Sequence, residues 1–160
     1  EGRKLGIVVT DGVDAKLLKG MMAAVEKEKA VCELIAPKVG GVTASDGSWV
    51  EAHHMIDGGP SVLFDAVALL TSAEAIDDLV MEATARDFVA DAFQHCKFIG
   101  YDASAAKLLE KAGIGDTLDE GVIMLPGEDG LAGFVSELGK LRVWGREPSV
   151  KLGKASPPIK

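Results

Sequence analysis

The stretch HCKFIGYDASAAKLLEKAG, residues 95–113, contains the full pattern of a strand, a tight turn and a helix. KFIGY (97–101) is a short apolar run of the kind found in buried strands, and SAAKLLEKA (104–112) has the spacing of an amphipathic helix. Gly113 stands where a left-handed residue commonly ends a helix. We therefore predict a β-strand whose carboxyl end turns sharply into a helix.

The same alternation extends in both directions from this unit. Four more apolar runs are predicted to be strands: residues 5–10, 31–37, 66–71 and 120–126. Helical spacing separates most of them, and strands joined by helices form right-handed crossovers with helices on both faces of a parallel sheet. The expected fold class is α/β, as a three-layer, doubly wound, flavodoxin-like domain with a mostly parallel central sheet.

The segments between the strands carry more specific predictions. The helix after the first strand is expected to bury one apolar face: Leu17, Leu18, Met21, Met22 and Val25. Residues 72–96 predict two helical pieces with Ser72 as the N-cap. Residues 39–51, VGGVTASDGSWVE, place an Asp-Gly turn between β-prone stretches and predict a hairpin excursion from the sheet. A last helix is predicted at 128–144.

Composition limits the possible partners. The net charge of −8 repels phosphate backbones, so we expect no nucleic-acid partner. No apolar run reaches the roughly 18 residues that span a bilayer, so we expect no membrane partner. Cys32 and Cys96 lack CxxC spacing and are interpreted as reduced core thiols, consistent with a cytoplasmic location. The first strand begins within a few residues of Glu1, which we interpret as a domain excised from a longer protein.

Ligands of doubly wound sheets bind beyond the carboxyl ends of the strands. In this sequence that edge comprises residues 10–14, 71–74 and 101–104. The first turn, TDGVDAK (10–16), has a single glycine and two carboxylates that would repel an anion. It therefore lacks a phosphate-binding loop, and we predict neither nucleotide nor flavin binding there.

Ser104, in the turn of the opening stretch, is a candidate nucleophile only if a base lies within hydrogen-bond reach. The three imidazoles of the chain are those of His53, His54 and His95. Because His95 precedes strand 97–101, it is expected at the opposite end of the sheet. Ser104 is therefore interpreted as a helix cap, a role that Asp102 can also fill.

The remaining candidates point to contacts rather than to chemistry. His53 and His54 lie near Glu51 and Asp57, but adjacent histidines on an extended chain point to opposite faces. We therefore favour a surface loop, or a subunit or domain contact, over a metal site, and expect no bound metal. The candidate interface residues are Trp49, His53, His54, Arg142, Trp144 and Arg146.

Several stretches together resemble the C-terminal domain of large-subunit haem catalases. The most specific are TASDG (43–47), PSVLFDAV (60–67) and RVWGR (142–146). We accordingly predict one domain over residues 1–147, followed by an irregular tail at 148–160. That domain is in turn similar to the class I glutamine amidotransferase-like superfamily, which includes intracellular cysteine peptidases and deglycase-type proteins.

The superfamily resemblance has a consequence for the turn after strand 97–101. Its enzymes place an acidic residue after their first strand and a Cys-His pair at the elbow after the fourth. Those positions correspond to Asp11, Ala103 and Ser104. Asp11 is thus interpreted as a vestigial acid, and Asp102, Ala103 and Ser104 as a vestigial elbow without thiol or imidazole. The resemblance implies no catalytic residue and no peptidase, deglycase or amidotransferase activity.

The catalase resemblance implies a larger parent enzyme. Such an enzyme decomposes hydrogen peroxide at a haem in a preceding β-barrel core, so this domain itself is expected to hold no cofactor. Its expected partners are the catalase core domain and the other subunits of a homotetramer. We expect a non-catalytic accessory role that stabilises the parent and its oligomer and shapes access to the haem. The alternative is a chaperone-like module that binds unfolding client proteins, and a small-molecule hydrolase or deglycase-type enzyme is less favoured.

Overall fold

The computed structural model describes residues 3–38, 40–58, 61–115, 121–125 and 134. The strands in this part of the chain are β1 Lys4–Val9, β2 Val31–Ala36, β3 Gly41–Thr43, β4 Trp49–Glu51, β5 His54–Met55, β6 Ala66–Leu70, β7 Phe98–Tyr101 and β8 Val122–Met124. The α-helices are α1 Ala15–Lys27, α2 Ile76–Val80, α3 Ala83–Gln94 and α4 Ala106–Lys111.

Six of these strands form one parallel sheet in the order β5-β2-β1-β6-β7-β8. β1 pairs in parallel with both β2 and β6, so Ile7 lies opposite Leu34 on one side and Ala68 on the other. The chain runs from β1 outward to β2 and later returns to β6 on the other side of β1. The switch point of the sheet therefore lies between β1 and β6. The predicted doubly wound α/β architecture is confirmed.

Helices cover both faces of this sheet. One face packs against α1, and the buried side chain of Phe134 belongs to the same apolar cluster. The opposite face packs against α2, α3 and α4. All five residues of β6 are buried because the strand has apolar neighbours on both faces. The three-layer arrangement explains why the strands are continuous apolar runs in the sequence.

The hairpin predicted around residues 39–51 is confirmed. β3 and β4 form a separate two-stranded antiparallel sheet. Its turn is closed by Asp46, whose Oδ1 accepts the Ser48 N–H over 3.0 Å, and by Gly47, whose φ is 86°. Such a positive φ strongly favours glycine, which is why the Asp-Gly pair was informative in the sequence.

Helix α1 differs from its prediction at one residue. Asp14 is the N-cap, and its Oδ1 accepts the N–H groups of Lys16 and Leu17, each over 3.0 Å. Four of the five predicted apolar side chains are buried, but that of Met22 is 37% exposed. Each residue advances about 100° around a helix. Met22 therefore lies at the edge of the apolar face rather than within it.

The two helical pieces predicted after β6 are confirmed as α2 and α3, but Ser72 is not the N-cap of α2. The Ser72 Oγ accepts the Ala75 N–H over 3.2 Å, and its carbonyl accepts the Ile76 N–H. Ser72 thus stabilises the turn that precedes α2, because the three turn residues 73–75 separate it from the helix. No helix in the described part of the chain is long and apolar enough to cross a membrane.

Parts of the predicted C-terminal region lie outside the described residues. These are the helix predicted at 128–144, apart from Phe134, the tail at 148–160, and the interface candidates Arg142, Trp144 and Arg146. Phe134 itself is helical and fully buried. A Cβ on Gly100 would lie 3.2 Å from the Phe134 ring, so the absence of a side chain in β7 allows this close packing.

Candidate functional site

The carboxyl ends of β1, β6 and β7 bring three turns together at the switch point of the sheet. They surround an open depression of about 450 Å³, at the edge where doubly wound folds bind ligands. The residues that line it are Gly12, Asp14, Leu17, Ser45, Thr71, Ser72, Ala73, Asp102, Ala103 and Ser104. The elbow residues identified in the sequence therefore belong to this depression.

Asp102 is the centre of the site. Its side chain follows β7 directly and is only 8% exposed. Oδ2 accepts the Thr71 N–H over 3.0 Å. Oδ1 lies 2.8 Å from the Ser104 Oγ, 3.1 Å from the Ala105 N and 3.2 Å from the Thr71 Oγ1. The carboxylate thus joins the end of β6 to the start of the helical segment after β7.

These contacts decide which residue caps that segment. Asp102 is the N-cap of a 3₁₀ turn over Ala103–Ala105, which leads directly into α4. Of the two capping candidates in the sequence, Asp102 is therefore correct and Ser104 is wrong. Gly113, with φ of 87°, follows α4 as predicted for a C-terminal cap.

Burial changes the acidity of the central carboxyl group. Removal from water raises the pKa of Asp102 above its ordinary value, and the hydrogen bonds from Ser104, Ala105 and Thr71 only partly oppose that effect. A buried carboxylate needs donors to be tolerated, and Asp102 has them. Its oxygens are therefore occupied by the fold.

Ser104 is held as a donor rather than activated as a nucleophile. Its Oγ lies 2.6 Å from the Thr71 Oγ1 and 2.8 Å from Asp102 Oδ1. The Thr71 and Ser104 hydroxyl groups carry one proton each. Both short distances are hydrogen bonds when Thr71 donates to Ser104 and Ser104 donates to Asp102. A carboxylate is a far weaker base than a serine alkoxide, so this chain of bonds orders the elbow without generating a nucleophile.

The three histidines of the chain lie elsewhere. His95 caps the end of α3 at the amino end of β7, opposite the elbow. His53 Nδ1 accepts the Leu34 N–H over 2.9 Å. His54 Nε2 lies 2.8 Å from Glu33 Oε1. None of them can act as a base for Ser104.

Asp11, which the resemblance interprets as a vestigial acid, is bound by the hairpin. Its Oδ1 accepts the Thr43 N–H over 2.9 Å, and the Gly12 N–H donates to the Thr43 carbonyl over 2.8 Å. On the other side, the Ser72 Oγ donates to the Asp11 carbonyl over 2.6 Å. β3 thus holds the turn after β1 through two hydrogen bonds, and the carboxyl group of Asp11 accepts one of them.

A second hairpin contact was not identified in the sequence. Ser45 Oγ accepts the Ala15 N–H over 3.0 Å, and the Ser45 N–H donates to the Val13 carbonyl over 2.8 Å. The hairpin turn therefore satisfies a donor at the start of α1. A Ser immediately before an Asp-Gly turn is too common to predict such a distant contact.

Of the interface candidates that the structure describes, Trp49 lies on β4, His53 between β4 and β5, and His54 on β5. Trp49 is 63% exposed on β4. His54 forms an ion pair with Glu33 when protonated, and this hydrogen bond and the charge of Lys4 lower the pKa of Glu33. Among the described residues no group of three or more His, Cys, Asp or Glu side chains could hold a metal ion.

Solved structures with this fold are DJ-1 and ThiJ/PfpI proteins. A ThiJ/PfpI domain protein from Brachyspira murdochii superposes with a TM-score of 0.76 at 11% identity, covering 88% of this chain and 98% of that one. A DJ-1 superfamily protein from Salmonella typhimurium gives 0.72 at 18% identity, covering 97% and 99%. At these identities the likeness shows the fold alone, and it confirms the predicted doubly wound α/β fold.

Sequence relatives are catalases of several organisms. Catalase C of Rhizobium meliloti is 68% identical over 152 residues, which are 95% of this chain and 22% of that protein. Catalase HPII of Pseudomonas putida is 26% identical over 151 residues, which are 94% of this chain and 20% of that protein. The chain therefore spans about a fifth of the length of these two relatives.

The match to a family is nearly complete along the chain. Residues 1–148 match the family described as the C-terminal domain found in long catalases. The match includes the elbow, the hairpin and the RVWGR stretch on which the resemblance was based. The chain belongs to the family of C-terminal domains found in long catalases.

Proposed function

We propose that this chain is a non-catalytic accessory domain of a large-subunit haem catalase, which stabilises the parent enzyme and its oligomer and shapes access to the haem. The observation that carries the proposal is the state of the elbow. Ala103 has no reactive group, Ser104 has no imidazole beside it, and Asp102 is occupied by structural donors. A domain with this site contributes through packing.

In this proposal the haem and the peroxide chemistry belong to the remainder of the parent polypeptide. The chain spans 22% of Catalase C from Rhizobium meliloti, so most of such a protein lies outside it. Tyr101, the single tyrosine of the chain, is 7% exposed within β7 and packs in the apolar layer beneath α2, α3 and α4. Its position suits the core of this fold rather than a haem ligand.

Deleting the domain from the full-length catalase tests the proposal. We expect the truncated enzyme to keep its initial turnover per haem but to lose activity at least about fivefold faster on heating or in urea. The tetramer should also dissociate at lower denaturant concentration, measured by sedimentation. Truncation should change the relative rates with hydrogen peroxide and a bulkier alkyl peroxide, because the domain is proposed to shape access.

A point variant gives the matched control for this deletion. Lys107→Ala in the full-length protein removes an exposed ion pair with Asp77, whose side chains are 61% and 72% exposed. Exposed pairs of this kind contribute little, so its inactivation rate should equal that of the unmodified enzyme. If the truncated enzyme also inactivates at the unmodified rate, the accessory role is wrong.

A chaperone-like function is the second candidate. It is favoured by large apolar side chains that remain exposed in the domain: Trp49 at 63%, Met81 at 76% and Met124 at 54%. Flexible Met side chains suit adaptable contacts with unfolding clients. Light scattering of a heat-aggregating client, with and without an equimolar amount of this chain, tests the chaperone function, and unchanged aggregation excludes it.

A cytoplasmic location, also part of the proposal, is supported by the two free cysteines.

A further inference from the structure

A groove lies at the opposite end of the sheet from the elbow. It occupies about 380 Å³ between the second half of α1 and the beginning of β2. The residues that line it are Met22, Ala23, Glu26, Ala30, Val31 and Cys32. Five of these six side chains are apolar or a thiol, and the sixth is the carboxylate of Glu26.

The groove exposes side chains that the core does not use. Val31 is 50% exposed and Met22 is 37% exposed, although the other Leu, Ile, Met and Val side chains of their elements are buried. Burial and the nearby charge of Glu26 raise the pKa of the Cys32 thiol to about 11, so this thiol stays neutral at physiological pH. Met22 and Val31 therefore offer an incoming apolar side chain two exposed apolar contacts beside the Glu26 carboxylate.

The backbone that leads into the domain runs directly beside this groove. β1 begins at Lys4, which lies opposite Val31 in the parallel register. One residue earlier, the Arg3 carbonyl accepts the Val31 N–H over 2.8 Å. All strands of the sheet run the same way, so a polypeptide that precedes β1 reaches the domain at the end where the groove opens.

The relatives indicate the length of the polypeptide that precedes this domain in a full-length catalase. The family is described as C-terminal in long catalases, and the chain spans only 22% and 20% of the two bacterial relatives named above. In such a protein several hundred residues precede the domain and are connected to it next to Val31. A segment tethered at this point has a high effective concentration at the groove, so even a modest apolar contact is favoured.

We propose that the segment immediately preceding this domain in the full-length catalase docks in the groove and places an apolar side chain between Met22 and Val31. The inference rests on the proposed function, because it needs the parent polypeptide. Docking would turn a flexible tether into a fixed connection, and it would set the orientation of the domain relative to the core. It also covers the apolar surface that the domain leaves exposed at this end.

Thiol labelling of the full-length catalase tests the docking. A Val31→Cys variant is prepared with the natural preceding segment, and again with the ten or so residues before the domain replaced by a Gly-Ser segment of equal length. We expect a maleimide to modify position 31, measured by peptide mass spectrometry, at least about tenfold more slowly with the natural segment. A Met22→Cys variant, at the other wall of the groove, should show the same difference.

Met81→Cys is the matched control, since Met81 is 76% exposed beyond the end of α2 and away from the groove. Its labelling rate should be the same with either segment. Equal rates for Val31→Cys with the two segments would overturn the docking, whether the groove is open or covered by another part of the protein.

The outcomes separate this inference from the proposed function. If truncation leaves the inactivation rate unchanged while the segment protects position 31, the accessory role fails and the docking stands. If truncation destabilises the enzyme while the labelling rates are equal, only the docking fails.

Discussion

Asp102 shows how a single residue can be committed to structure at an edge where related folds bind ligands. Its carboxylate is 8% exposed and receives donors from β6 and from the turn after β7. The neighbouring Ala103 contributes only a methyl group. At the residue scale, Asp102 therefore serves to connect β6 with the turn after β7.

The Asp102→Asn variant tests this structural role. Asparagine keeps one oxygen acceptor, but its NH₂ group then faces either the Thr71 N–H or the donors that Oδ1 binds. Leaving such a buried donor unsatisfied costs about 1–3 kcal/mol, so we expect the free energy of unfolding in urea to fall by that amount. Ser104→Ala, which retains both backbone donors, should cost less than about 1 kcal/mol. Equal losses in the two variants would contradict the assignment.

The same pair of proteins, unmodified and Asp102→Asn, should differ in their pH dependence. Burial raises the pKa of Asp102 in the folded chain. At a pH between the ordinary pKa of an aspartate, about 4, and the raised pKa of Asp102, the folded state holds more protons than the unfolded state. The stability that this group contributes therefore falls as the pH rises through that interval. The stability difference between the two proteins should decrease toward neutral pH, and a constant difference would argue against the raised pKa.

The missing chemistry of the elbow can also be tested by restoring it. Ala103→Cys alone should place a thiol at the elbow without an imidazole to lower its pKa. The double variant Ala103→Cys/Ser104→His adds that imidazole, and its thiol should react with iodoacetamide at least about tenfold faster at neutral pH. Equal alkylation rates would show that the turn no longer places these two side chains together.

At the scale of elements, the β3–β4 hairpin holds the turn after β1 in place. Thr43 binds Asp11 and Gly12, and Ser45 binds the start of α1. The hairpin therefore fixes both the turn after β1 and the start of α1. Its own geometry depends on Gly41, where φ is 144° and a Cβ would lie 2.0 Å from the Val50 carbonyl oxygen.

Gly41→Ala should consequently weaken the hairpin and its hydrogen bonds to the turn after β1. Gly47→Ala is the matched control, because Gly47 also has a positive φ of 86° but has open space where the alanine methyl group would lie. The control should cost about 1 kcal/mol from backbone strain, and Gly41→Ala about 2 kcal/mol more from overlap with the opposite strand. Urea unfolding measures both, and amide exchange at Gly12 and Thr43 should accelerate in Gly41→Ala alone.

At the scale of the whole molecule, the parallel sheet gives the domain two different ends. At the carboxyl end, the Asp102 contacts and the hairpin join the turns around the open depression, whereas the amino end presents the groove beside Val31. Because all six strands run the same way, a preceding polypeptide reaches the domain at the amino end. The truncation experiment tests the accessory role of the domain, and the labelling experiment tests the docking at its amino end.

Sequence reasoning predicted most of the architecture for identifiable reasons. AVALL of β6 and FIGY of β7 are uniformly apolar because both faces of the sheet are covered, and Asp46-Gly47 marks the hairpin because a positive φ is needed there. The errors at Met22, Ser72 and Ser104 have another origin. Helix edges and caps depend on small shifts in where an element begins, and periodicity alone does not resolve these.

The sequence by itself determined the alternation of strands and helices and the absence of a thiol-imidazole pair at Ala103 and Ser104, because both are properties of neighbouring residues. Only the tertiary structure decided which hydrogen bonds the Asp11 and Asp102 carboxylates accept. Asp102 meets Thr71 across 31 positions and Asp11 meets Thr43 across 32. Such contacts, and the burial that raises the pKa of Asp102, exist only after distant segments have packed together.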